Sequence, residues 1–163
     1  MLDIATDNPY KNPACREYRH NTFNEIILNP TITKVVMVAE WPNYTQGFRG
    51  DENTTTFYTD SSSREKSLLE NEAVVERSLV KTIQTLKDNG KEVLIVKTVP
   101  EYKYAVPYLL QKNVKLLGVV DIPAPFKVDY KIYKQRNKEI ETIFSNDTIA
   151  SNVKFIDTYA IYC

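Results

Sequence analysis

The sequence predicts an α/β domain built on a mostly parallel sheet, and three observations carry that prediction. Two β-branched apolar runs, residues 33–39 and 91–97, lack the apolar/polar alternation of a strand wetted on one face, so each is expected to be covered on both. A long helical stripe lies between them, giving a strand–helix–strand unit whose crossover should be right-handed. A second amphipathic helix and a third strand follow, so the order is β-α-β-α-β with no internal repeat and no second domain.

The elements follow in chain order. Residues 1–14 carry the turn signals Asp7-Asn8-Pro9 and Lys11-Asn12-Pro13 and read as an irregular lead-in to a domain spanning 15–163. Phe23, Ile26 and Ile27 recur at helical spacing over 16–28, and Asn29-Pro30 ends that helix because proline disfavours helical geometry in the residue before it. The strand at 33–39 leads into Glu40-Trp41-Pro42-Asn43-Tyr44 and a polar loop to residue 62, long enough to be functional. Ser62 or Ser63 is the expected cap of a helix whose stripe runs from Leu68 through Leu79 and Ile83 to Leu86, closed by Asn89-Gly90. After the strand at 91–97, Pro107 is expected to open a short helix, residues 128–144 to form an amphipathic one and residues 153–157 the third strand.

Composition narrows the function. At 163 residues the chain is long enough to bury roughly two-thirds of its unfolded surface, so it needs no metal or disulfide staple. The 21 basic and 21 acidic side chains cancel, which argues against nucleic acid as a partner because no net positive field exists to displace counterions from phosphates. One histidine, His20, and two distant cysteines, Cys15 and Cys163, fit no structural zinc site and no paired redox motif. A disulfide between the cysteines and a pair of free thiols fit the count equally well. No apolar run reaches the roughly 18 to 20 residues that span a bilayer, and residues 1–8 have neither the basic nor the apolar part of a signal peptide. The glycines Gly47, Gly50, Gly90 and Gly118 form no phosphate loop, so no nucleotide cofactor, and no cofactor of another kind, is expected.

Ligands of open parallel sheets bind at the carboxyl ends of the strands. Four residues there are the candidates for a substrate pocket. Trp41 and Tyr44 offer aromatic faces for a sugar or acyl group, or else cap the core; Glu40 and Glu101 offer an acid or a hydrogen-bond acceptor. Asp157, at the end of the third strand, is suited to orienting a histidine, but no histidine follows it, and His20 beside Arg16 and Arg19 reads as an exposed or capping residue. No Gly-x-Ser-x-Gly or Gly-Asp-Ser turn supplies a nucleophile. Lys127, Lys131, Lys134, Arg136 and Lys138 read as a solvated basic helix face.

These segments, in this order, resemble the SGNH-hydrolase-like domain of the acyltransferase-three family of membrane O-acyltransferases. Thr33-Lys-Val-Val-Met-Val-Ala-Glu-Trp-Pro-Asn-Tyr44 resembles that family's strand ending in Ala-Arg-Trp-x-x-Tyr, with Glu40 where the family commonly has Arg. Gly90-Lys-Glu-Val, Val99-Pro100, Val106-Pro107, Phe155-Ile156-Asp157 and Cys163 are similar to later landmarks, and Cys15 to a cysteine that precedes the first. The resemblance implies a three-layer sandwich with a mostly parallel sheet, of SGNH-hydrolase, flavodoxin-like type, expected to be incomplete in this sequence. It also implies an acyl donor and a glycan acceptor as substrates, and the membrane domain of a parent protein as partner. The parent's extracytoplasmic side is the implied location. In the family the serine turn precedes the first matched segment and an Asp-x-x-His motif follows the last, so this sequence is expected to be a catalytically incomplete portion of such a domain. The alternative is a noncatalytic α/β module gripping a carbohydrate or peptide with Trp41, Tyr44 and Tyr102.

Overall fold

The computed structural model describes residues 5–6, 13–48, 55–101 and 129–159. Its centre is a three-stranded, all-parallel sheet of β2 (Lys34–Val38), β4 (Glu92–Val96) and β5 (Val153–Ile156), in the order β2-β4-β5. Val35 pairs with Val93 and Val93 with Val153; Met37 pairs with Ile95 and Ile95 with Phe155. Because side chains alternate across a strand, these six residues share one face. They pack onto a core of Leu79, Ile83, Leu86, Ile140, Ile143, Phe144 and Ile149, contributed by three helices: α3 (Leu68–Asp88), α5 (Lys138–Phe144) and α6 (Asp147–Ala150). The β2–β4 connection runs through α3, as the periodicity predicts.

The opposite face corrects one expectation. Val36 is 54% and Val38 70% exposed, so β2 is covered on one face only. An unbroken β-branched run reports strand propensity on both faces, whereas here the three helices all pack against the face of Val35 and Met37.

The helix ends follow local chemistry. α1 (Pro13–Leu28) begins three residues before the expected start, because Pro13 serves as a first helical residue, whose missing N–H costs nothing there, and not as a turn. At its far end the Asn29 carbonyl accepts from Nζ of the buried Lys91 at 2.7 Å, placing a cation at the helix C-terminus. The cap of α3 is Ser67, not Ser62 or Ser63: its hydroxyl accepts from the Glu70 N–H at 3.1 Å, while the Ser63 hydroxyl accepts from the Asp60 N–H in a preceding turn. Gly90, at φ 71°, closes α3 as expected, with its N–H on the Lys87 carbonyl and the Lys91 N–H on that of Leu86.

Residues expected to form one helix over 128–144 form two, α4 (Tyr130–Arg136) and α5, joined at Asn137. The buried Asn137 side chain and backbone N–H both donate to the Tyr133 carbonyl, at 2.9 and 3.0 Å, and the break is in the Asn137 backbone, whose φ −97° and ψ 2° leave helical geometry. Three pieces had no counterpart in the expectation: a short helix at Trp41–Gln46, α6, capped by Asn146, and a small antiparallel pairing of β1 (Ala5–Thr6) with β3 (Tyr58–Thr59). The expected helix at Pro107 and Cys163 lie outside the described residues, as does the side chain of Cys15.

Candidate functional site

The carboxyl ends of β2, β4 and β5 open onto one edge of the sheet. After β2 the chain turns at once into α2 (Trp41–Gln46), which has Pro42 in its first turn and Gly47 as a left-handed C-cap at φ 74°. A Cβ on Gly47 would lie 2.5 Å from the Thr56 carbonyl oxygen, so the close return of the chain at Thr56 also requires glycine there.

The four sequence candidates separate into two pairs. Trp41 is 1% exposed: its indole N–H donates to the Val96 carbonyl at 2.7 Å and its ring meets Phe144 edge-on, centroids 5.6 Å apart. It is a core residue under the edge and offers no open face for stacking. Tyr44 is half-buried against Tyr58 at 5.3 Å, and burial pushes the Tyr58 phenol up to about 12.

Glu40 and Glu101, by contrast, are brought into one polar network. The Glu40 carboxylate accepts from Asn43 Nδ2 at 2.7 Å; Asn43 Oδ1 accepts from Arg136 Nη2 at 2.7 Å; Arg136 Nε donates to Glu101 Oε2 at 3.0 Å. Arg136 also donates through Nη2 to the Phe48 carbonyl at 2.7 Å and through Nη1 to Gln46 Oε1. Its guanidinium lies over the Phe48 ring, 4.7 Å from the centroid. The basic helix face expected around Arg136 is therefore corrected at this position: the side chain is only 13% exposed and pairs with a 24% exposed Glu101. Lys131, Lys134 and Lys138 are exposed, as expected. Arg136, Asn43 and Gln46 are the site residues that sequence reasoning missed.

At the end of β4, the Thr98 carbonyl accepts from Tyr133 Oη and from Thr158 Oγ1, both at 3.0 Å, while the buried Thr98 hydroxyl has no hydrogen-bond partner. Past β5, the exposed Asp157 accepts from the Tyr159 N–H at 3.0 Å, and the Tyr159 ring sits between Tyr130 and Tyr133, 4.8 Å from each. His20 is exposed on α1. Among the described residues no three metal-binding side chains converge, and no helix is long and apolar enough to cross a membrane. The described carboxylates lie beside no histidine or nucleophilic turn.

The family model described as "SGNH domain (fused to AT3 domains)" matches residues 2–163. The chain belongs to the SGNH-domain family. No curated protein and no solved structure matches it. The three-stranded parallel sheet with its helices fits an incomplete α/β sandwich of this family. The family is described by the fusion of its SGNH domains to acyltransferase-three domains.

Proposed function

We propose that this chain is the middle portion of an SGNH-type O-acyltransferase or esterase domain that acylates or deacylates cell-surface glycans on the extracytoplasmic side of a membrane. The catalytic serine and the Asp-x-x-His pair are supplied by sequence beyond these residues. The observation that carries the reading is the family match over residues 2–163, with its fused acyltransferase domain. Supporting it, the 163 residues contain no Gly-Asp-Ser turn and no Asp-x-x-His, and their single histidine precedes the first strand of the parallel sheet.

In the whole domain the serine oxygen attacks the acyl carbonyl of the donor and its proton passes to histidine, which returns it to the departing donor group. A glycan hydroxyl, or water, then takes the acyl group and restores the serine. In this reading Glu40 and Glu101 form the polar wall of the acceptor side. Tyr44 flanks it, and Trp41 supports it from the core. A binding module that grips sugar with Trp41 is less well supported, because that ring is 1% exposed.

The test is an ester-hydrolysis assay of the isolated chain with a small acetyl ester, paired with the coding sequence of the parent. The expected result is no turnover above a heat-denatured control, with Gly-Asp-Ser encoded upstream and Asp-x-x-His downstream. Turnover that persists after every serine is replaced contradicts the serine-based reading, and turnover abolished by one serine replacement contradicts the incomplete one.

A further inference from the structure

We propose that Arg136 is the positioning residue of the carboxyl edge, fixing the turn after β2 at a set spacing from Glu101 so that Glu40 and Glu101 share one rigid frame. A guanidinium has five N–H donors in a planar fork. Those of Arg136 reach Glu101 on the segment after β4 and Asn43, Gln46 and the Phe48 carbonyl on the turn after β2. The main chain adds a second tie. Gln46 Nε2 donates to the Arg136 carbonyl at 3.0 Å and to Glu139 Oε2 at 2.8 Å, so α4 and α2 are joined by backbone and side chain together.

The pattern distinguishes positioning from charge balance. Neutralising Glu101 needs one cation near one carboxylate, and any lysine supplies it. Spending the remaining donors on Asn43, Gln46 and a backbone carbonyl fixes distance and direction between two chain segments, which only the fork can do. The turn so held is the one whose left-handed Gly47 receives the returning chain, with the Thr56 N–H on the Gly47 carbonyl. That this frame presents an acceptor-side wall rests on the function proposed above; the frame itself does not.

Amide hydrogen exchange on the full 163-residue chain tests it. In Arg136→Lys, which keeps the charge and loses the fork, the amides of Gly47 and Thr56 are expected to exchange at least tenfold faster, while those of Val93 and Ile95 in β4 stay within about twofold. The double variant Arg136→Met/Glu101→Gln, which removes both charges, is expected to show the same local acceleration. Gln46→Ala, which cuts one tie and leaves the ion pair, gives a smaller increase at Gly47 and serves if the arginine variants do not fold. Unchanged exchange at Gly47 and Thr56 overturns the proposal. So does acceleration that includes Ile95 equally, the mark of a residue that merely adds stability. Restoration of slow exchange in the double variant overturns it as well, by showing charge balance alone. A parent without acyl-transfer activity removes the function proposed above and leaves these exchange results standing.

Discussion

Two charged rows cross the sheet, one at each end. At the amino end Lys34 and Lys154 flank Glu92 at 3.3 and 2.6 Å, with the lysines 66% and 75% exposed. At the carboxyl end Arg136 joins Glu101, Asn43 and Gln46, and its side chain is 13% exposed. Both rows bridge neighbouring segments with an ion pair. The lysines of the first are exposed to water, so attraction is screened and holding the long side chains in one geometry costs conformational entropy. In the second the arginine is largely desolvated and its donors are committed, so removing it strands several polar groups at once. Ion pairs of the same kind are thus expected to differ in rigidity, and the more buried one lies at the end where parallel sheets place their ligands.

The largest expected effect lies directly beneath the carboxyl end. Trp41→Ala removes a fully buried ring and the donor to the Val96 carbonyl, and should cost about 3–5 kcal/mol by chemical denaturation followed by circular dichroism. Next comes the direct comparison of the two rows. Arg136→Met should cost about 1.5–3 kcal/mol, the range for hydrogen bonds to charged groups, and Lys154→Ala less than about 1 kcal/mol. Equal losses in the two would show that burial does not set the difference.

The smallest effect is a pH dependence. Hydrogen bonds from Lys154 and Lys34 hold the Glu92 carboxyl below the ordinary glutamate range. A depressed folded-state value means that its contribution is present above the unfolded-state value and is lost as pH falls through the folded one. A carboxyl titration followed by NMR should show Glu92 protonating at lower pH than a free glutamate and reverting toward the ordinary range in Lys154→Ala.

α3 was legible because its apolar side chains repeat at a helical period, the parallel strands because they are unbroken β-branched runs, and the order of strand ends was enough to suggest the family. What was hidden depended on which faces meet. Val36 and Val38 look like core residues in sequence, since an apolar run does not say which side the helices take. Ser62 and Ser63 read as caps of α3 in sequence, but Asp60 engages Ser63 in a turn and the cap falls to Ser67. Arg136 sits among lysines on a helix of ordinary basic character, and its partners lie 35 residues away at Glu101 and 93 away at Asn43. No local pattern encodes such a meeting. Trp41 shows the converse: an aromatic at a strand end reads equally as ligand wall or core cap until its N–H is seen to be satisfied by the backbone.

That buried indole has a practical consequence. Trp41 is the only tryptophan among the 163 residues, and its N–H is anchored to the central strand. Its fluorescence is therefore an intrinsic reporter placed under the strand ends, emitting at short wavelength while the core is dry and shifting to the red once water reaches it. Selective excitation near the red limit of tyrosine absorption would follow this one location without a label, despite the 11 tyrosines of the chain.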